Sequence, residues 1–234
     1  MMTPGLSIKR HEKYYEALGP VPEGNLSSLD YYRFELVKRH ICGKSVLDVG
    51  CARGDFLKLI KSEYQIAGIE ATKKRAEDCN KILDQDVVRV CNVEEGIGFE
   101  DNNFDTVVCM EVLEHLINPQ ETLEHLIRIS RIRTIITVPY DEKIKWILCI
   151  HCAKYTPVSG HLHSFNEVKL KQYIDGLKAD VKRIKLSKFG NSFLRFVPSF
   201  VPFRLKFLID KIFCKLFPRH TKWILLIVDK RGDI

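Results

Sequence analysis

Two acids and a glycine turn, Asp48-x-Gly50-Cys51-x-x-Gly54 followed by Glu70, are the residues whose types and spacing most directly suggest chemistry. Val46, Leu47 and Val49 are strand formers, and they deliver Asp48 into a turn where Gly50 and Gly54 let the backbone approach a ligand without an intervening Cβ. The turn lacks the Lys-Ser/Thr ending of a P-loop and the third glycine of a dinucleotide fingerprint. A pyrophosphate is therefore not the expected ligand. Glu70 closes a second apolar run, Gln65 to Glu70, at the distance of about 20 residues over which one βα unit carries a carboxylate to ribose hydroxyls. Acids and glycines in this order suit a ligand with a sugar and a cationic amino-acid tail, which describes S-adenosylmethionine better than ATP or a dinucleotide. Asn92 and Val93, just past a third strand, are expected at the adenine edge, and Met110 at the end of a fourth completes the cofactor set.

Glu111, Glu114 and His115 follow that fourth strand directly. On a helix starting there, the two acids would share a face with the histidine adjacent. Together with His161 or His163 they could hold Mg²⁺ or Mn²⁺ and polarise an acceptor hydroxyl. Alternatively, His115 or His163 could serve as a general base, because imidazole titrates near neutral pH, or the same acids could simply favour a helix N-terminus. Cys149-x-x-Cys152, with His161 or His163 further on, has the spacing of half a structural zinc site. Against zinc, Trp146-Ile147-Leu148 before the pair reads as a buried helix in which thiols merely pack.

These residues must be positioned by alternating strands and helices. Strands are expected at 45–49, 65–70, 86–91, 104–110, 133–139, 181–186 and 222–228. Ser28 is expected to cap a helix from Leu29 to about His40 that partly covers the cleft, Thr72 the helix after Glu70, and Asn166 a helix ending near Gly176. Parallel βαβ units with right-handed crossovers put ligands at the carboxyl ends of the strands.

On Asp48-x-Gly50-Cys51-x-x-Gly54, Gly68-Ile69-Glu70, Asp101-Asn102-Asn103-Phe104-Asp105 and Glu111-Val112-Leu113-Glu114-His115, the chain resembles class I S-adenosylmethionine-dependent methyltransferases, closely so from Ser45 to Tyr140. Relatives of this kind include ubiquinone-pathway and other small-molecule methyltransferases. The resemblance implies an α/β, Rossmann-like sheet of seven strands with helices on both faces and its last two strands antiparallel. Here about 30 residues separate those last strands, so a helical insertion precedes the final one. Ala52 departs from the family, which commonly has glycine there. Glu-x-x-Glu-His with a distal histidine also looks like the arrangement of small-RNA 2′-O-methyltransferases.

Composition fits one domain over 1–234, with an N-terminal helical extension at 1–40 and an insertion at 190–220. The eight dispersed cysteines and the absence of a signal-like start suit a reducing, cytoplasmic setting. The net charge of +7 is unevenly placed: residues 181–234 carry thirteen Lys and Arg against three Asp and Glu, whereas the first 180 carry 24 against 27. A uniformly basic nucleic-acid-binding domain would look different. The insertion is rich in phenylalanine and cations, and Leu205, Leu208, Ile209, Ile212, Phe213 and Leu216 make a helical stripe. That stripe either packs on the core or forms a peripheral membrane contact or lid for a lipid-linked acceptor. The expected activity is methyl transfer to a small-molecule or lipid-linked acceptor, at oxygen first, with nitrogen and carbon acceptors left open. The alternatives are metal-assisted RNA 2′-O-methylation and a non-catalytic cofactor-binding module.

Overall fold

The computed structural model describes residues 16–17, 26–150, 153–177, 181–198 and 200–231. Nearly continuous apolar runs make its central strands, as expected where both faces of a parallel sheet are covered. β1 (Ser45–Val49) lies between β2 (Gln65–Glu70) and β4 (Phe104–Met110), with β3 (Val88–Val90) outside β2 and β5 (Ser130–Pro139) outside β4. These five are parallel. β9 (Thr221–Lys230) then pairs antiparallel with β5, and β8 (Val181–Asn191) antiparallel with β9, so the sheet order is β3-β2-β1-β4-β5-β9-β8.

Alternation along each strand divides the core in two. Val46, Val108, Ile135, Leu225 and Ile227 face one layer, which packs against α1 (Ser28–Lys38), α2 (Asp55–Ile60) and α3 (Lys73–Leu83). Leu47, Val49, Ile136, Ile224 and Leu226 face the other, against α4 (Pro119–Ile129) and α5 (Glu167–Asp175). Asp48 shares the parity of Val46 and so is buried on the α1 side.

Local chemistry moved several expected boundaries. Ser27, not Ser28, caps α1, in a reciprocal box with Asp30. Thr72 stands at the N-cap of α3 but makes no side-chain capping bond. Asn166 does cap α5, accepting from Lys169 N at 3.0 Å. No helix starts at Glu111: a single 3₁₀ turn at Leu113–His115 comes first, and α4 begins only at Pro119, whose fixed φ suits a first helical turn. Trp146-Ile147-Leu148 is not a buried helix but the exposed strand β6, paired with β7 (Tyr155–Pro157) in a two-stranded hairpin.

The insertion between β8 and β9 folds as a 3₁₀ turn at Ser192–Phe196, α6 (Phe203–Leu216) and a second turn at Pro218–His220. Its expected stripe is divided. Ile209 and Phe213 turn inward, while Leu205, Leu208, Ile212 and Leu216 stay exposed. Asp210 sets this rotation: Oδ2 accepts from Gly190 N at 2.8 Å and from the Tyr32 hydroxyl at 3.0 Å, and Oδ1 accepts from Asn191 N at 2.8 Å. The buried carboxyl is pushed up by desolvation, and the Tyr32 phenol is pushed up further by its own burial and by Asp210. The 1–25 part of the expected N-terminal extension, Glu16 and Ala17 apart, lies outside the described residues.

Candidate active site

A cavity of about 300 Å³ opens at the carboxyl ends of β1, β2 and β4. Gly50, Glu70, Asn92, Val93 and Met110 line it, with Arg33, Glu111 and His115. Three residues of the expected cofactor set do not. Asp48, Cys51 and Gly54 lie beneath the turn and shape it.

Each of these has a packing reason for its place. Gly50 has φ +73°, and a Cβ there would fall 2.4 Å from Val112 Cγ2, so only glycine lets the turn pass the β4 end. Gly54, at φ +76°, abuts Cys79 Sγ in the same way, and Cys51 Sγ lies 3.9 Å from that thiol. Asp48 Oδ2 is buried with no hydrogen-bond partner, and desolvation followed by the nearby Glu70 charge pushes its carboxyl up to about 7.

At the β2 end of the cavity, Glu70 Oε2 accepts from Ala52 N at 2.9 Å, and Arg75 approaches Oε1 at 3.9 Å. Burial raises the Glu70 carboxyl, against which the Ala52 amide and Arg75 act. Ala52 achieves this contact with φ +49°, a conformation its Cβ disfavours.

At the other end, Glu111 is also left-handed, at φ +57°, and held from three sides. Trp223 Nε1 donates to Oε2 at 2.7 Å, Thr137 Oγ1 donates to Oε1 at 3.2 Å, and Arg33 pairs with Oε2 at 3.4 Å. Strain so firmly supported is characteristic of functional sites. Arg33 also lies over the Trp223 ring at 4.7 Å, and its buried Nε has no partner.

Glu114 is fully buried, and neither carboxylate oxygen has a hydrogen-bond partner. Its carbonyl accepts from Leu162 N at 2.7 Å and His163 N at 3.1 Å, which draws the 160–163 loop onto the site. His115 and His161 consequently meet edge to face at 4.5 Å. Ligand atoms of Glu114, His115 and His161 all lie within 4.8 Å of one another. Nδ1 of His115 faces Gly160 O at 3.3 Å, and Nδ1 of His161 engages Glu142. Burial, then repulsion from Glu111, holds the Glu114 carboxyl well above the ordinary range.

His163 points elsewhere, donating from Nε2 to Leu116 O at 2.9 Å, and its burial lowers its pKa. The expected zinc set is not assembled among the described residues. Cys149 forms the hairpin turn after β6, accepting from Ala153 N at 2.9 Å, Cys152 lies outside the described residues, and His161 is committed to Glu142 and His115. Sequence reasoning missed Arg33 and Glu142, which reach the site through tertiary contacts; the only signal for Arg33 was its helix lying over the cleft.

A family model described as a methyltransferase domain matches residues 29–177. Over 163 residues the chain is 24% identical to the ubiquinone biosynthesis O-methyltransferase of Rickettsia conorii, covering 65% of this chain and 56% of that protein. The chain thus spans roughly half the length of the curated relatives it matches. In structure it is similar to an S-adenosylmethionine-dependent methyltransferase from Archaeoglobus fulgidus, with TM-score 0.57, 19% identity and coverage of 86% of this chain and 97% of that one. The phosphoethanolamine N-methyltransferase 2 of Haemonchus contortus, in complex with S-adenosyl-L-methionine, gives TM-score 0.61 at 15% identity over 97% of this chain and 58% of that one.

Proposed function

The chain belongs to the methyltransferase-domain family, and from that premise we propose that it transfers a methyl group from S-adenosylmethionine to a hydroxyl of a small or lipid-linked acceptor. The observation that carries this reading is one cavity lined both by Glu70 from the β2 end and by Glu111 and His115 from beyond β4, with Glu114 buried beside His115. Glu70 is suited to the ribose hydroxyls, Asn92 and Val93 to the adenine edge. The unpartnered Nε–H of Arg33 suits the carboxylate of the amino-acid tail.

The bound cosubstrate supplies a methyl on a cationic sulfur, activated for displacement. In-line transfer forms a bond from acceptor oxygen to the methyl carbon as the carbon–sulfur bond breaks, and the sulfur keeps that electron pair. The acceptor proton must leave. His115 lines the cavity, and its Nε2 is suited to take that proton. Positioning the two reactants supplies much of the remaining rate.

A divalent cation is the alternative to a histidine base, because a His115 nitrogen that ligates a cation cannot also take the acceptor proton. The orphaned oxygens of buried Glu114, with ring nitrogens of His115 and His161 close by, fit one. Glu114, His115 and His161 would hold it, and it would supply Lewis acidity toward the acceptor oxygen. An RNA acceptor would share this cluster but show steep salt dependence of RNA binding. A non-catalytic module would bind the cosubstrate without turnover.

The test is transfer from methyl-labelled S-adenosylmethionine into the small-molecule and lipid fractions of a cell extract. His115→Ala should lose about 10²-fold or more in rate with unchanged cosubstrate affinity, and Glu114→Gln should lose calorimetric Mn²⁺ binding. No transfer by the wild type, or full rate in His115→Ala, would contradict the assignment.

A further inference from the structure

The insertion presents an apolar surface that the cavity does not use. Leu205, Leu208, Ile212 and Leu216 recur at the spacing of one helical face of α6, and all are exposed. Phe196 and Phe200, in the segment leading into α6, are 76% and 85% exposed. Scattered apolar residues on a surface are ordinary, but a contiguous patch of this kind marks an interaction site.

Charge identifies what covers it. Residues 191–220 contain six Lys and Arg and a single acid, Asp210. That acid is buried and directed inward, onto Gly190, Asn191 and Tyr32. The charges that the insertion itself places around its exposed apolar side chains are therefore cations, among them Arg204, Lys211, Lys215 and Arg219, with Glu35 of α1 approaching only at the Phe196 edge. Such a surface complements anionic lipid headgroups over an acyl layer. A protein partner with an apolar groove would match the stripe but would leave the flanking cations without a counterpart.

Topology orients the surface. Asn191 pairs with Thr221, and Trp223 pairs with Pro139 at the end of β5. The insertion thus leaves the sheet at the carboxyl end of the parallel strands, where the cavity also opens. From that same end the β6–β7 hairpin carries Ile147, Leu148 and Tyr155, all exposed, together with Ile150 at 92% exposure. No helix among the described residues is long and apolar enough to cross a membrane, so attachment would lie in the interface plane.

We propose that α6 and its flanking turns rest on an anionic bilayer surface, so that the cavity faces the layer from which an amphiphilic acceptor enters. The acceptor's route rests on the methyltransferase reading; attachment itself does not. The experiment is co-sedimentation of the whole chain with vesicles of equal parts phosphatidylglycerol and phosphatidylcholine, beside pure phosphatidylcholine. Cofactor affinity is measured on the same preparation, so a failure of attachment is distinguished from a failure of the enzymatic reading.

The wild type should bind the anionic vesicles and release at high salt. Leu208→Ser, Ile212→Ser and Leu216→Ser together remove exposed side chains and should keep the fold by circular dichroism while lowering binding at least tenfold. A second variant, Arg204→Glu with Lys215→Glu, should lose anionic vesicles selectively. Absence of wild-type binding, or equal binding by the folded triple variant, would overturn the proposal. So would a wild-type dimer that the triple variant converts to monomer without any lipid binding, since the face would then join two copies of the chain.

Discussion

Two residues that line the cavity hold backbone conformations their side chains disfavour. Glu111 and Ala52 both hold positive φ, one gripped by Trp223 and Thr137, the other supplying the amide that orients Glu70. For Ala52 nothing but the backbone demands that conformation, so glycine should fit better. Relief of the left-handed penalty is worth about 1–2 kcal/mol, against about 0.4–1 kcal/mol of added unfolded-chain entropy. Ala52→Gly should therefore stabilise by about 0.5–1 kcal/mol, seen as a higher urea midpoint at unchanged slope. A lower midpoint would show that the turn relaxes around alanine at no cost. The loop, the spaced acid and the strand-end residues were legible because strand periodicity fixes where side chains emerge. Arg33 and Glu142 were not, because each meets its partners across long stretches of chain.

At the scale of elements, the parallel strands follow from apolar runs and their spacing, whereas the late antiparallel pair was implied only by the family resemblance. Two elements resisted that reading for definable reasons. Trp146-Ile147-Leu148 is a short apolar run, whose periodicity cannot separate strand from helix. Helix α6 is apolar on two faces, and only the tertiary bonds of Asp210 decide which one turns inward. Removing that carboxylate should thus cost more than a surface change. Asp210→Ala leaves two backbone amides and the Tyr32 hydroxyl short of an acceptor, at about 1–3 kcal/mol for each buried group left unmade, partly offset by the desolvation of the acid. We expect a net loss of about 3 kcal/mol, a melting temperature lower by about 6–12 °C, and a smaller loss for Tyr32→Phe. A shift below 2 °C in Asp210→Ala would mean that packing of Ile209, Phe213 and Cys214 alone fixes the helix.

For the whole molecule, sheet direction brings three things to one end: the cavity, the acid–histidine cluster and the exposed insertion. The cofactor strand ends supply Glu70, the β4 end supplies Glu111, and the 160–163 loop is drawn in through the Glu114 carbonyl. Residues separated by the length of the domain so line one cavity of about 300 Å³, with Glu70 and Asn92 from the β2 and β3 ends and Glu111 and His115 from beyond β4. The central claim is that this cavity takes S-adenosylmethionine with Glu70 on its ribose. Calorimetric titration of the folded wild type and Glu70→Ala tests it most directly. One cosubstrate should bind each wild-type chain, and loss of up to two charge-assisted hydrogen bonds, each worth about 1.5–3 kcal/mol, should weaken the variant at least about tenfold. No saturable heat from the wild type, or equal affinity in a folded Glu70→Ala, would contradict the account.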